Sequence, residues 1–215
     1  MKRVLVCTAA LLITCSTLAE TFTVATFSDP SDSSDAWLFE VDWPNSNGGT
    51  VKGGWNAPGL TLEFGSFFGG SEFQNVWFEM TDLTITDTIQ FYGKTFGVTG
   101  QGVINFYEEG MATNPLLTIA FEQAHVATFA LAADESVEND IWAENVKFSG
   151  FQIGPSLFDQ RFSFSFSNVV ALSNGDAEID GFTATAAFTS SAVPEPMTVV
   201  LLSIGGGMTL LRKRK

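Results

Sequence analysis

Phe162-Ser163-Phe164-Ser165-Phe166-Ser167 alternates a large ring with a small hydroxyl at every step. In an extended chain successive side chains point to opposite faces, so this stretch puts three phenylalanines on one side and three serines on the other. A helix would scatter the rings around its axis. The segment therefore reads as a β-strand with one face in a core. The same period recurs on both sides of it. Leu83, Ile85, Ile89 and Phe91 alternate with Thr84, Thr86, Thr88 and Gln90, and Phe182, Ala184, Ala186 and Phe188 form a last set. Further strand candidates are 22–27, 37–42, 60–64, 73–80, 103–108, 116–122, 126–131 and 142–151. Turn formers separate them: Asn47-Gly48-Gly49, Ala57-Pro58-Gly59, Gly69-Gly70, Asn114-Pro115, Gly154-Pro155 and Asn174-Gly175-Asp176. Residues 132–140 read as a helical turn or an acidic loop. The expected fold is all-β, an antiparallel β-sandwich or jelly-roll of about ten strands in one domain over 20–190. It would be flanked by an N-terminal signal helix and a C-terminal apolar helix.

Composition supports a packed core and a secreted surface. The 215 residues include 21 Phe and only 2 Tyr, and the net charge is -14. From Glu20 to Val193 only Lys52, Lys94, Lys147 and Arg161 are basic, against 23 acidic residues. Such a surface repels nucleic acid and keeps a Phe-rich domain soluble.

Both ends carry address signals. Lys2 and Arg3 precede the apolar run Val4 to Ile13, which is too short to span a bilayer. Thr17-Leu18-Ala19 then places small residues for signal peptidase, so residues 1–19 read as a signal peptide cleaved between Ala19 and Glu20. Leu12-Ile13-Thr14-Cys15 resembles a lipoprotein acylation box, with Thr14 bulkier than the usual small residue. Cys7 and Cys15 are the two cysteines and both lie in this segment. A mature chain from Glu20 has no disulfide, thiolate metal site or cysteine nucleophile.

At the other end, 191–215 form a tail. The small residues Thr189 to Val193 lead into Pro194-Glu195-Pro196, then uncharged Met197 to Leu211, then Arg212-Lys213-Arg214-Lys215. The prolines fix φ and lack an N–H, so this peptide is expected to stay extended and to join neither sheet nor helix interior. Fifteen apolar residues span about 22 Å as a helix, less than the roughly 30 Å hydrocarbon core. Val193, Pro194, Glu195, Pro196, the Gly-interrupted apolar stretch and the basic end resemble the PEP-CTERM sorting tail. That resemblance covers only the tail. It implies recognition and processing by an exosortase, transient residence in the inner membrane of a Gram-negative, biofilm-forming cell, and delivery to the cell surface or extracellular matrix.

The middle region offers little for catalysis. His125 is the only histidine, which excludes a multi-histidine metal site and leaves any Ser-His-Asp triad to a residue in a strand-like run. Glu40, Glu63, Glu79 and Glu122 lie on aromatic-rich strands where a glycoside hydrolase or lyase would keep its carboxylates. No phosphate-loop or dinucleotide fingerprint occurs. Binding finds two candidates. Asp29, Asp32 and Asp35 stand in one acidic loop whose oxygens suit Ca²⁺, though not at the spacing of an EF-hand; Asp176, Glu178 and Asp180 form a weaker cluster. No other cofactor is expected. Trp37, Trp43, Trp55, Trp77 and Trp142 suit stacking on sugar rings where exposed, and the loop-adjacent Trp43 and Trp55 are the better candidates. The expectation is an exported, non-catalytic structural or adhesive domain, with a module binding extracellular polysaccharide as the alternative.

Overall fold

A computed structural model describes residues 21–30, 37–42, 48–91, 94–111, 113–127, 130–134, 145–151, 153, 157–172 and 181–194. The signal segment 1–19 and the apolar stretch 197–211, both expected as helices, lie outside these residues. The first strands are β1 (Phe22–Phe27), β2 (Phe39–Asp42), β3 (Thr50–Trp55), β4 (Leu62–Phe64) and β5 (Glu72–Phe73). Then come β6 (Trp77–Met80), β7 (Leu83–Phe91), β8 (Lys94–Thr99), β9 (Gly102–Tyr107) and β10 (Leu117–Phe121). Last are β11 (His125–Ala127), β12 (Ala130–Asp134), β13 (Lys147–Ser149), β14 (Leu157–Leu172) and β15 (Gly181–Pro194). A single 3-10 turn over Ser66–Phe68 is the only helical element among the described residues.

The protein is all-β and its strand pairs are antiparallel. Fifteen strands stand where about ten were expected, and the reasons are local. The run 73–80 divides into β5 and β6 because Asn75 takes a positive φ of 54°, which an extended strand cannot contain. The run 126–131 divides because Val126 lies opposite Leu131, in neighbouring strands β11 and β12. β12 also claims Ala132–Asp134, read above as turn or loop. Strands β3 and β8 went unread because Gly53, Gly54 and Gly97 interrupt their alternation.

Hydrogen-bonded pairing runs in a closed circuit, β2-β3-β7-β8-β11-β12-β14-β15 and back to β2. Two wings extend from it. Strands β6, β9, β10 and β13 continue from the far end of β3, and β1, β4 and β5 continue from β15. Rings from the two wings meet: Phe27 of β1 lies 5.9 Å from Phe78 of β6 and 6.1 Å from Phe106 of β9. Phe164 of β14 sits among them, 4.9 Å from both Phe39 and Phe188 and 6.0 Å from Phe27 and Phe78. The opening alternation is thus borne out, with Phe162 and Phe164 fully inside and Phe166 half-buried at the edge of the core.

Polar groups inside the fold repair irregular ladders. A bulge between Thr23 and Ala25 breaks the β1–β15 register. Ser190 fills it, its Oγ donating to the Ala25 carbonyl and accepting from the Ala25 N–H, both at 3.0 Å. Buried Gln160 accepts the Phe148 N–H and donates to the Leu157 carbonyl at 2.8 Å, tying β13 to β14. Each such bond contributes about 1 kcal/mol net, but leaving its backbone partner unsatisfied costs more.

The end of β15 corrects the expectation for the tail junction. Thr189 to Val193, read as a spacer, are strand residues, and Pro194 is the last residue of β15, opposite Leu157. A proline is tolerated there because the ladder stops at it and its missing N–H has no partner to serve.

Candidate functional site

The wing β3-β6-β9-β10-β13 has one face in the core and one outward. Phe78, Ile104, Phe106, Leu117 and Ile119 point inward and are fully buried. Their sequence neighbours form the outer face, because a strand reverses its side chains at every residue. Gly54, Glu79, Asn105, Thr118 and Ser149 fall opposite one another in a single row across all five strands. One step along, Trp77 of β6 lies opposite Tyr107 of β9. On the other side of the row Val103, Ala120 and Lys147 line up.

This row is organised chemically. The Trp77 and Tyr107 rings stack at 4.2 Å between centroids and 17° between planes. The Tyr107 hydroxyl donates to Glu79 Oε1 at 2.9 Å, and Thr118 Oγ1 donates to Asn105 Oδ1 at 2.8 Å. Tyr107 is 8% exposed. Burial, then its hydrogen bond to Glu79 and that carboxylate's charge, hold the phenol above its ordinary value of 10.0. An aromatic pair beside a strip of carboxylate, amide and hydroxyl groups matches a sugar ring, which has an apolar C–H face and a rim of hydroxyls.

The raised phenol gives a pH prediction with a definite sign. Above pH 10 the unfolded chain releases this proton while the folded chain still holds it. The unfolded state then binds fewer protons, so stability falls as pH rises through that window. Denaturant midpoints for wild type and Tyr107→Phe are expected to run parallel below about pH 9.5. Above pH 10 the wild type should lose stability more steeply than the variant.

The residues singled out from sequence fall in different places. Trp55 ends β3 opposite Phe78, on the core side of the wing, half-buried and with its indole N–H enclosed and unbonded. Trp43 lies outside the described residues. So do Asp32, Asp35 and the cluster Asp176, Glu178 and Asp180. Asp29 is described, with Oδ2 at 3.4 Å from the Ser167 hydroxyl. Among the described residues no three His, Cys, Asp or Glu side chains gather as a metal site. His125 is buried in β11 opposite Val98 and Ala132. Glu40, Glu63 and Glu79 occupy the separate strands β2, β4 and β6, and Glu122 follows β10. Val193 lies opposite Phe158, and Pro194 opposite Leu157. Ala19, Glu20, Glu195, Pro196 and the basic cluster 212–215 lie outside the described residues.

Tyr107, Asn105 and Thr118 were not singled out from sequence, and Trp77 was named there only behind Trp43 and Trp55. Their alternation with core residues is visible in Trp77-Phe78-Glu79-Met80 and Ile104-Asn105-Phe106-Tyr107. Their assembly depends on β6 pairing with β9, across the intervening hairpin of β7 and β8. Comparison with protein-family models, with curated proteins and with solved structures finds no match.

Proposed function

We propose that this chain is an exported protein, freed of its signal peptide at Ala19–Glu20 and sorted by an exosortase through Val193-Pro194-Glu195-Pro196. Its domain acts without catalysis, as a structural or adhesive element at the cell surface or in the extracellular matrix. The observation that carries this reading is the order of the tail: motif, apolar stretch, basic end. The finer fold that goes with it is a β-sandwich of jelly-roll type. Ring contacts between the two wings, Phe27 with Phe78 and Phe106, support that reading. Intact-mass analysis of the exported protein is the test. The expected species starts at Glu20 and has lost the segment beyond the Pro-Glu-Pro motif; mature protein that keeps its full tail sinks the proposal.

A second reading, a polysaccharide-binding module, is supported by the outer row of the β3-β6-β9-β10-β13 wing. Affinity electrophoresis in gels cast with neutral polysaccharides tests it. Retardation is expected for wild type and about tenfold weaker retention for Trp77→Ala, the equivalent of roughly 1.4 kcal/mol. Equal mobility in every gel removes this reading and leaves the structural one.

A further inference from the structure

We propose that the end of the domain where β15 stops is a lipid-facing surface, which rests against the membrane holding residues 197–211. This rests on the reading of that stretch as membrane-inserted.

The first argument is reach. Pro194 closes the sheet, and the apolar stretch begins at Met197. Three extended residues cover at most about 10.8 Å. No linker separates the domain from the bilayer, so this end of the sheet lies at the headgroups whenever the tail is inserted.

The second argument is what the structure places there. Val193 lies opposite Phe158, and Ala192 opposite Phe22. Phe158 is 51% exposed. Phe67, on the 3-10 turn, is 57% exposed and stacks on Phe22 at 4.3 Å, with Phe68 5.5 Å from Phe22. Exposed rings are costly in water and favoured at a membrane interface, where aromatic residues concentrate.

The third argument is charge. The domain is acidic as a whole, and a bare carboxylate facing anionic headgroups would be repelled. Asp159, beside Phe158, is held by Arg161 at 3.0 Å. Arg161 lies opposite Ser191, so one of the four basic residues of the middle region stands at this end, paired with Asp159.

Site-directed spin labelling of the form that begins at Glu20 and keeps its tail tests the surface; this form carries no native thiol. Single cysteines then replace Ser66 beside the rim, Met111 on the β9–β10 loop, or Ser203 within the apolar stretch. Each labelled protein is placed in vesicles of phosphatidylethanolamine and phosphatidylglycerol. Collision rates with lipid-soluble oxygen and a water-soluble nickel chelate report depth. The expected result is Ser203 in the hydrocarbon, Ser66 at the interface and Met111 in water. Adding Phe67→Glu and Phe158→Glu should raise nickel accessibility at Ser66 to the Met111 level while Ser203 stays inserted. Ser66 in water with Ser203 inserted overturns this proposal alone. Ser203 in water overturns the membrane reading and this proposal with it. Dipolar broadening at Ser66 that grows with protein density marks a contact between copies and also overturns it.

Discussion

Phe164→Ala is expected to lower the unfolding free energy by about 3–5 kcal/mol. The ring is fully buried and lies within 6.1 Å of Phe27, Phe39, Phe78, Phe162 and Phe188. Those neighbours come from β1, β2, β6, β14 and β15, so the residue joins the closed circuit to both wings. Truncation removes the transfer free energy of the ring and opens a cavity that none of the five can fill without leaving its own contacts. A domain of this size has about 5–15 kcal/mol in all. The loss therefore takes a large share of the margin and should lower the melting temperature by roughly 10 °C or more. Urea denaturation of the purified protein measures it, with Phe166→Ala as comparison. Phe166 is only half-buried, and its loss should cost less than half as much. Equal costs would mean that the core does not centre on Phe164.

The second large effect concerns sorting. Replacing Pro194, Glu195 and Pro196 together by alanine is expected to leave the chain at full length in the membrane fraction, with no processed form outside the cell. Pro194 is the last residue of β15, and a proline has no N–H with which to extend a ladder; under the proposed sorting the motif is held by the enzyme as an extended peptide. Three alanines restore the N–H groups and permit the ladder to continue past Leu157. Glu195→Ala alone separates the two causes, since it keeps both prolines. If triple and single variants are processed like wild type, the tail is not read through this motif. Immunoblots of membrane and medium fractions distinguish the outcomes.

Much of the fold was legible because burial writes itself into alternation. Phe22–Phe27 reads as a strand and forms β1 with the same limits; Leu83–Phe91 does the same for β7. Illegible parts have physical causes. Glycines erase the pattern in β3 and β8, Asn75 breaks a run of aromatics that looks continuous, and Pro194 closes a strand where proline argues for a loop. The outer row was hidden for a different reason. Whether Glu79 faces Asn105 is fixed by register between strands distant in sequence, and no local period encodes that. Trp55 illustrates the same limit: its neighbourhood of turn formers points to a loop edge, and its register points it at Phe78.

The pairing of β1 with β15 also sets a clock. Ala25 and Ser190, which bond to each other, are 165 residues apart in the chain. A chain threaded across a membrane from its N-terminus cannot dock its first strand until almost everything has emerged. The apolar stretch from Met197 arrives only a few residues later. On the proposed reading of that stretch as membrane-inserted, translocation halts there just as the missing strand becomes available, and the sheet closes while the protein is still held at the membrane. Release before β15 docks would leave β1 paired with β4 alone, its other edge open to pair with other chains.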